Sequence, residues 1–184
     1  VNDIYDLIKN DFIKDNFNIN ENDLTFIDHL ITQTKTKWGL DGSFKSNFNL
    51  PTYEENTWLH TFSQMFLGYS ISSDLCGNDI IFNTGNSTEL YKNTYIYPFD
   101  DTEGECVNSY SKLLTFFEKL SSLYHKLNKS YTLEKWIEII NQIIIDFFPP
   151  QTHDLLSKLV HDLNKIHIQN KNIFNNNEFS TYCI

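Results

Sequence analysis

The stretch Leu50–Tyr69, LPTYEENTWLHTFSQMFLGY, decides the fold class, because a turn signal, a helix start and an aromatic helix face fall within twenty residues. Pro51 and the polar residues after it interrupt any regular element and read as a connection. Thr57 then offers a side-chain oxygen as an N-cap. Trp58, Phe62, Met65, Phe66 and Tyr69 recur at helical spacing, which predicts a helix over 58–67 with this face fully inside. Gly68 is expected to stop it in a left-handed conformation.

Toward the N-terminus, the two glycines around Asp41 in Trp38-Gly39-Leu40-Asp41-Gly42 read as a turn. Before it, Asn20 caps a predicted helix over 21–34 that buries Leu24, Ile27, Leu30 and Ile31 and ends near Lys35 and Lys37. Asn2 caps a short helix over 3–9, and Phe12, Ile13, Phe17 and Ile19 are expected to dock as a loop or short turn.

Toward the C-terminus, residues 70–98 lose all helical periodicity and hold only two short extended candidates, 80–82 and 95–97. From about 104 to 128, Tyr110, Leu113, Phe117, Leu120, Tyr124 and Leu127 alternate three and four apart along one long seam. Thr132 caps the next helix, which is so apolar through Phe148 that it is expected to be the central buried one; Pro149-Pro150 ends it. Thr152 caps a last helix over 153–169 with Leu155, Leu159, Leu163 and Ile166 inward. A polar linker over 170–177 and a further helix start at Ser180 or Thr181 follow. The expected fold is therefore mainly α: an irregular bundle of about six helices in one domain over 1–184, with an irregular loop or small hairpin at 70–98.

Composition bounds the function. With 184 residues, 40% hydrophobic, and 15 Phe, 10 Tyr and 3 Trp, the chain carries enough apolar surface for a sizeable core, and global disorder is excluded. The first residue is Val and the last three are Tyr182-Cys183-Ile184, so an internal piece of a larger protein, truncated at both ends, is expected. Cys76, Cys106 and Cys183 have no CxxC spacing; neither a disulfide framework nor a thiolate zinc site is indicated, and a reducing cytoplasm is the expected setting. A net charge of −10 argues against a free-standing nucleic-acid binder.

Few residues offer chemistry. His153, His161 and His167 lack metal-ligand spacing. Asp100, Asp101, Glu103 and Glu105 are read as stabilising the start of the long helix in preference to holding Mg²⁺. Lys112, Lys119 and Lys126 form a seven-residue row that Lys158 and Lys165 repeat. These five lysines are the candidate DNA-backbone contacts, against the plainer reading of a solvated face. Trp38 and Trp58 are read as core in preference to base-stacking residues. There is no GxxxxGK[ST], GxGxxG or GxSxG, so no catalytic, cofactor-binding or metal residue is assigned.

The motifs together resemble one family. Trp38-Gly39-Leu40-Asp41-Gly42, Leu50-Pro51-Thr52-Tyr53-Glu54-Glu55-Asn56-Thr57-Trp58 and Phe66-Leu67-Gly68-Tyr69 are similar to the RecC subunits of bacterial exodeoxyribonuclease V. So are Tyr97-Pro98-Phe99-Asp100-Asp101-Thr102-Glu103-Gly104, Leu133-Glu134-Lys135-Trp136 and Asp146-Phe147-Phe148. Thr61 and Gln64 depart from the family pattern, which has Gly and then a basic residue in the Trp helix. The resemblance makes Trp38, Trp58, Phe66, Gly68 and Tyr69 the family-signature core. It implies a non-catalytic scaffold domain, the helical insertion of the second helicase-like half of the subunit. It also implies a RecBCD assembly that processes double-strand DNA ends for recombinational repair. The implied partners are RecB, RecD, the rest of RecC and duplex or unwound DNA, with ATP and Mg²⁺ used by the partner subunits. A stand-alone helical protein-interaction adaptor is the alternative.

Overall fold

Local capping chemistry places three of the expected helices, those capped by Asn20, Thr57 and Thr132, where the sequence puts them. The computed structural model describes residues 2–70, 82–83, 95–99 and 106–169. Among these residues are eight α-helices: α1 (Asn2–Ile8), α2 (Asp11–Phe17), α3 (Glu21–Gln33), α4 (Gly42–Ser46), α5 (Trp58–Ser70), α6 (Cys106–Leu127), α7 (Leu133–Phe147) and α8 (His153–Gln169). The protein is mainly α. Within the expected hairpin region, β1 (Phe82–Asn83) pairs antiparallel with β2 (Tyr95–Ile96), Phe82 opposite Ile96. The acidic cluster at 100–105, the linker at 170–177 and the helix start at 180–181 lie outside the described residues. The chain divides into two compact units, Val1–Asp6 with Asn20–Leu114, and Leu7–Ile19 with Thr115–Ile184.

In the first unit, α3 begins with a reciprocal capping box: Asn20 Oδ1 accepts from the Asp23 N–H at 3.0 Å, and Asp23 Oδ2 accepts from the Asn20 N–H at 2.8 Å. Its end is closed by Lys35 in the left-handed conformation, φ 53°, which lets the Thr36 N–H reach the Ile31 carbonyl at 3.2 Å. Leu24, Ile27 and Leu30 are buried. The expected turn at 38–42 runs on into the short helix α4, because the Asp41 carboxylate caps it, accepting from the Phe44 N–H at 3.0 Å. Gly42 is required there: a Cβ would overlap the Thr52 carbonyl oxygen.

Helix α5 starts at Trp58 as expected but continues to Ser70, so Gly68 is a helical residue and not a left-handed stop. The glycine serves a close approach instead. A Cβ would collide with the Phe99 carbonyl, and the Phe99 N–H donates to the Gln64 carbonyl at 3.0 Å. The aromatic face is also not wholly inside. Trp58, Phe62 and Met65 are buried, whereas Phe66 and Tyr69 are 61% and 64% exposed. Phe66, eight residues from Trp58, sits about 80° around the helix from it, while Tyr69 returns to the Trp58 side but lies in the last turn, beyond buried Met65.

In the second unit, the apolar residues expected to dock as a loop form helix α2. The Asn10 side chain accepts from the Phe12 N–H at 3.0 Å, and Asn18, at φ 52°, ends the helix by directing the Ile19 N–H to the Lys14 carbonyl at 2.9 Å. Ile13, Phe17 and Ile19 are buried. Phe17 meets Phe116 edge-on at 5.3 Å between ring centroids, and Phe147 completes the group at 6.0 Å from Phe17 and 6.3 Å from Phe116. Helix α7 is capped by Thr132, but it is amphipathic, not buried throughout: Ile137, Ile139, Ile144 and Phe147 are inside and Ile145 is exposed.

Helix α8 spans the expected residues with a rotated inner face. Ile137 and Ile144 of α7 and Val160 of α8 form a buried cluster, against which Leu133, Ile140, Leu156 and Leu163 pack. Leu155, Leu159 and Ile166 are exposed. Its apolar arc is wider than one neighbouring helix covers, so the flank away from α7 stays open.

Candidate functional site

The signature residues around Trp38 and Trp58 form a folding joint. The Trp58 and Leu59 N–H groups, which have no acceptor inside their own helix, donate to the Gly39 and Leu40 carbonyls at 3.2 and 2.9 Å. The His60 N–H reaches Thr57 Oγ1 at 3.2 Å. In return the Lys37 and Trp38 N–H groups both donate to the Asn56 carbonyl, at 2.9 and 3.0 Å, with Asn56 left-handed at φ 62°. The turn and the helix start thus cap each other. Behind them Thr34, Thr36 and Thr61 share buried hydroxyl contacts, 2.7 Å between the first pair and 2.5 Å between the second. Trp58 is fully buried and Trp38 is half-buried.

The candidate lysines fall into two groups. Lys112 donates to Asp23 Oδ2 at 2.7 Å, and Ser109 donates to Asp23 Oδ1 at 2.5 Å. Burial raises the Asp23 pKa, but the Asn20 N–H, the Lys112 ammonium and the Ser109 hydroxyl outweigh it and hold the carboxyl below its ordinary value. In the second unit, Lys119 pairs with Asp146 at 3.1 Å and lies 5.7 Å from the centroid of the Phe17 ring. Asp146 also accepts from Gln142 at 3.0 Å, and its backbone carbonyl accepts from Asn16 at 2.8 Å. Its pKa is likewise lowered: burial pushes it up, while Gln142, Lys119 and Lys126 pull it down further. Both ammonium groups are occupied in holding helices together.

Lys126 lines a crevice of about 10 Å³ with Lys119, Gln142 and Asp146, room for at most one water. Lys158 and Lys165 are exposed on α8, and Lys158 borders a shallow, open depression with Ser157, His161 and Asp162. No described group of three His, Cys, Asp or Glu side chains is placed to hold a metal. Nor is any described helix long and apolar enough to cross a membrane.

Two titratable groups have roles that no local motif indicated. Lys45 is buried, its ammonium donating to the Tyr53 and Glu55 carbonyls at 2.6 and 2.7 Å. His60 is buried on α5 with no hydrogen-bond partner for Nδ1 among the described residues. Burial lowers its pKa against the opposing influence of Glu55 and Glu54. Neither lies in a signature segment: Lys45 falls between Gly42 and Leu50, and His60 between Trp58 and Phe66.

Residues 1–179 match the family model described as the RecBCD enzyme subunit RecC fourth domain. Among curated proteins, the chain is 23% identical over 154 residues to the RecBCD enzyme subunit RecC of Buchnera aphidicola, covering 82% of this chain and 13% of that protein. It is 21% identical to the RecC subunit of Escherichia coli K12, covering 73% and 11%, and 24% identical to that of Haemophilus influenzae Rd, covering 94% and 14%. The chain thus spans about an eighth of the length of these relatives.

Proposed function

Because the chain belongs to the RecC fourth-domain family, we propose that it is a non-catalytic structural domain of a RecC-type subunit. In this role it packs against its neighbours and helps shape the path of DNA through a RecBCD assembly. The observation that carries this reading is how the polar side chains are used. Lys112, Asp23, Lys119, Asp146 and Lys45 are bonded to other parts of the fold, and the signature residues cap helices. That is the pattern of groups that hold a shape, while catalytic groups converge on a cleft with open valences.

In this reading ATP and Mg²⁺ are handled by the partner subunits, RecB and RecD join the rest of RecC as partners, and the setting is the cytoplasm. Direct DNA contact, where this domain makes any, falls to Lys158 and Lys165. Their seven-residue spacing on α8 places two exposed lysines about 10 Å apart along one face. The family-model match over residues 1–179, together with relatives in which the matched region is about an eighth of the chain, favours this role over a separate adaptor protein.

The test is reconstitution of the full assembly around a subunit carrying Lys158→Gln and Lys165→Gln, and separately Lys126→Gln. Assembly, ATP hydrolysis and DNA cleavage are expected to persist, with only the salt dependence of DNA binding altered. Metal-dependent cleavage of DNA by this domain on its own would overturn the proposal.

A further inference from the structure

The connection between α4 and α5 is built more rigidly than a connection needs. From Ser46 to Tyr53 the chain reads SNFNLPTY, without a charge, and it exposes three large apolar side chains: Phe48 at 57%, Leu50 at 38% and Tyr53 at 44%. Beneath them Lys45 is 6% exposed and spends its ammonium on two backbone carbonyls, Tyr53 and Glu55. The Lys45 carbonyl accepts from the Phe48 and Leu50 N–H groups at 3.0 and 3.2 Å, so one residue ties both ends of the loop. Glu54 adds a further tie, accepting from the Gly42 N–H at 2.9 Å. The Phe48 ring rests against Phe44 and Trp38 at 5.6 and 6.3 Å between centroids. Asn49 is held left-handed at φ 56°.

A buried ammonium is costly to desolvate and is retained where its hydrogen bonds fix a geometry. Here the geometry fixed is that of an apolar tip which would otherwise be an exposed liability. We infer that the Phe48–Leu50–Tyr53 tip, braced by Lys45, is a preformed docking knob that inserts into another domain of the same subunit chain. This rests on the structural-domain reading above and names the partner of that structural role. Two observations select the occupant. The tip is uncharged in a chain of net charge −10, so nothing on it matches a phosphate backbone. The curated relatives continue for roughly seven-eighths of their length beyond the matched region, and the family model is that of a fourth domain, so the same polypeptide supplies neighbours at high effective concentration.

The experiment is hydroxyl-radical footprinting of the unmodified full-length subunit, following oxidation of Phe48, Leu50 and Tyr53 by mass spectrometry. If the tip is free, its half-exposed side chains react about twofold slower than in the unfolded chain. If it is seated in a packed interface core, which excludes water as a protein interior does, the reduction is roughly tenfold or more. Protection in the subunit alone, unchanged by dilution, is the expected result. Protection that appears only when the other subunits are added, or that is lost on dilution, overturns it in favour of a partner subunit or a second copy. Twofold protection throughout also overturns it. Lys45→Met, which keeps the length and loses both carbonyl bonds, is expected to restore tip oxidation at least threefold with α5 protection intact; unchanged oxidation removes the brace from the proposal. A free tip without DNA cleavage or ATP hydrolysis by this domain would refute the knob alone and leave the structural role standing.

Discussion

Replacing Lys112 with Met separates two roles for the same ammonium, a strut inside the fold and a contact for DNA. Asp23 is 3% exposed, and its carboxylate accepts three hydrogen bonds: from Asn20 at 2.8 Å, Ser109 at 2.5 Å and Lys112 at 2.7 Å. Removing the ammonium leaves a buried anion with two neutral donors. Breaking a buried pair in this way costs about 3–5 kcal/mol. Two features reduce that figure: the surviving donors still serve the charge, and the Lys112 side chain is 18% exposed, so water screens part of the attraction. About 2–3 kcal/mol is the expected loss for Lys112→Met.

The assay is urea unfolding followed by tryptophan fluorescence, since Trp58 is fully buried in the same unit, with the m-value checked for constancy. Asp23→Leu should cost a similar amount, and the double variant should cost less than the two singles together by about 1–3 kcal/mol, because it leaves no unpaired charge. A Lys112→Met loss below about 0.5 kcal/mol would refute the strut, as would additivity within that margin. A change in the salt slope of DNA binding with unchanged stability would restore Lys112 to the surface row.

Three further outcomes follow from the same geometry. Gly68→Ala should destabilise by about 1–3 kcal/mol, since the added methyl meets the Phe99 carbonyl and not a flexible side chain; an unchanged melting temperature would refute that close approach. Lys35→Gly should stabilise by up to about 1 kcal/mol by removing the left-handed strain at the end of α3, read as a higher urea midpoint. His60 has a folded pKa below its usual 6.5, so stability is constant above pH 6.5 and falls with acidification from there through the folded pKa, as the unfolded chain takes up the proton first. Midpoints measured between pH 7.5 and 5 should decline in the parent and stay flatter in His60→Gln, with equal slopes counting against the assignment.

What could be read from the chain was what is local to it. The Asn20 box, the Thr132 cap and the starts of α5 and α8 depend on two to four neighbouring residues, and each appears where its residues predict. Helices α2 and α4, of seven and five residues, are too short for their apolar residues to set them apart from turns, whereas the equally short α1 shows Ile4, Leu7 and Ile8 at helical spacing. Helix α2 is held by the Asn16 side chain on the Asp146 carbonyl, far away in sequence, and α4 by the Asp41 cap and the Glu54 carboxylate on the Gly42 N–H. The candidate lysines failed to separate for the same reason. Periodicity places Lys112, Lys119 and Lys126 in one row, but only the three-dimensional position of Asp23 and Asp146 decides which ammonium groups are already spent.

The errors of burial point the same way. An apolar arc tells how much of a helix avoids water but not what covers it. On α8 the arc holds six residues, and α7 takes Leu156, Val160 and Leu163 while Leu155, Leu159 and Ile166 stay open. On α5 the row that begins with buried Trp58 ends with exposed Phe66 and Tyr69. A self-sufficient domain has little reason to keep three such surfaces, the α8 flank, the outer row of α5 and the braced tip at 48–53, because each invites nonspecific association. A domain folded inside a longer subunit has every reason, since its core is completed by neighbours. The residues that made the chain recognisable, Trp38, Trp58, Gly68 and their caps, therefore set up a framework, and under the structural-domain proposal the exposed Phe66, Tyr69 and Tyr53 beside them are where the rest of a longer subunit would pack.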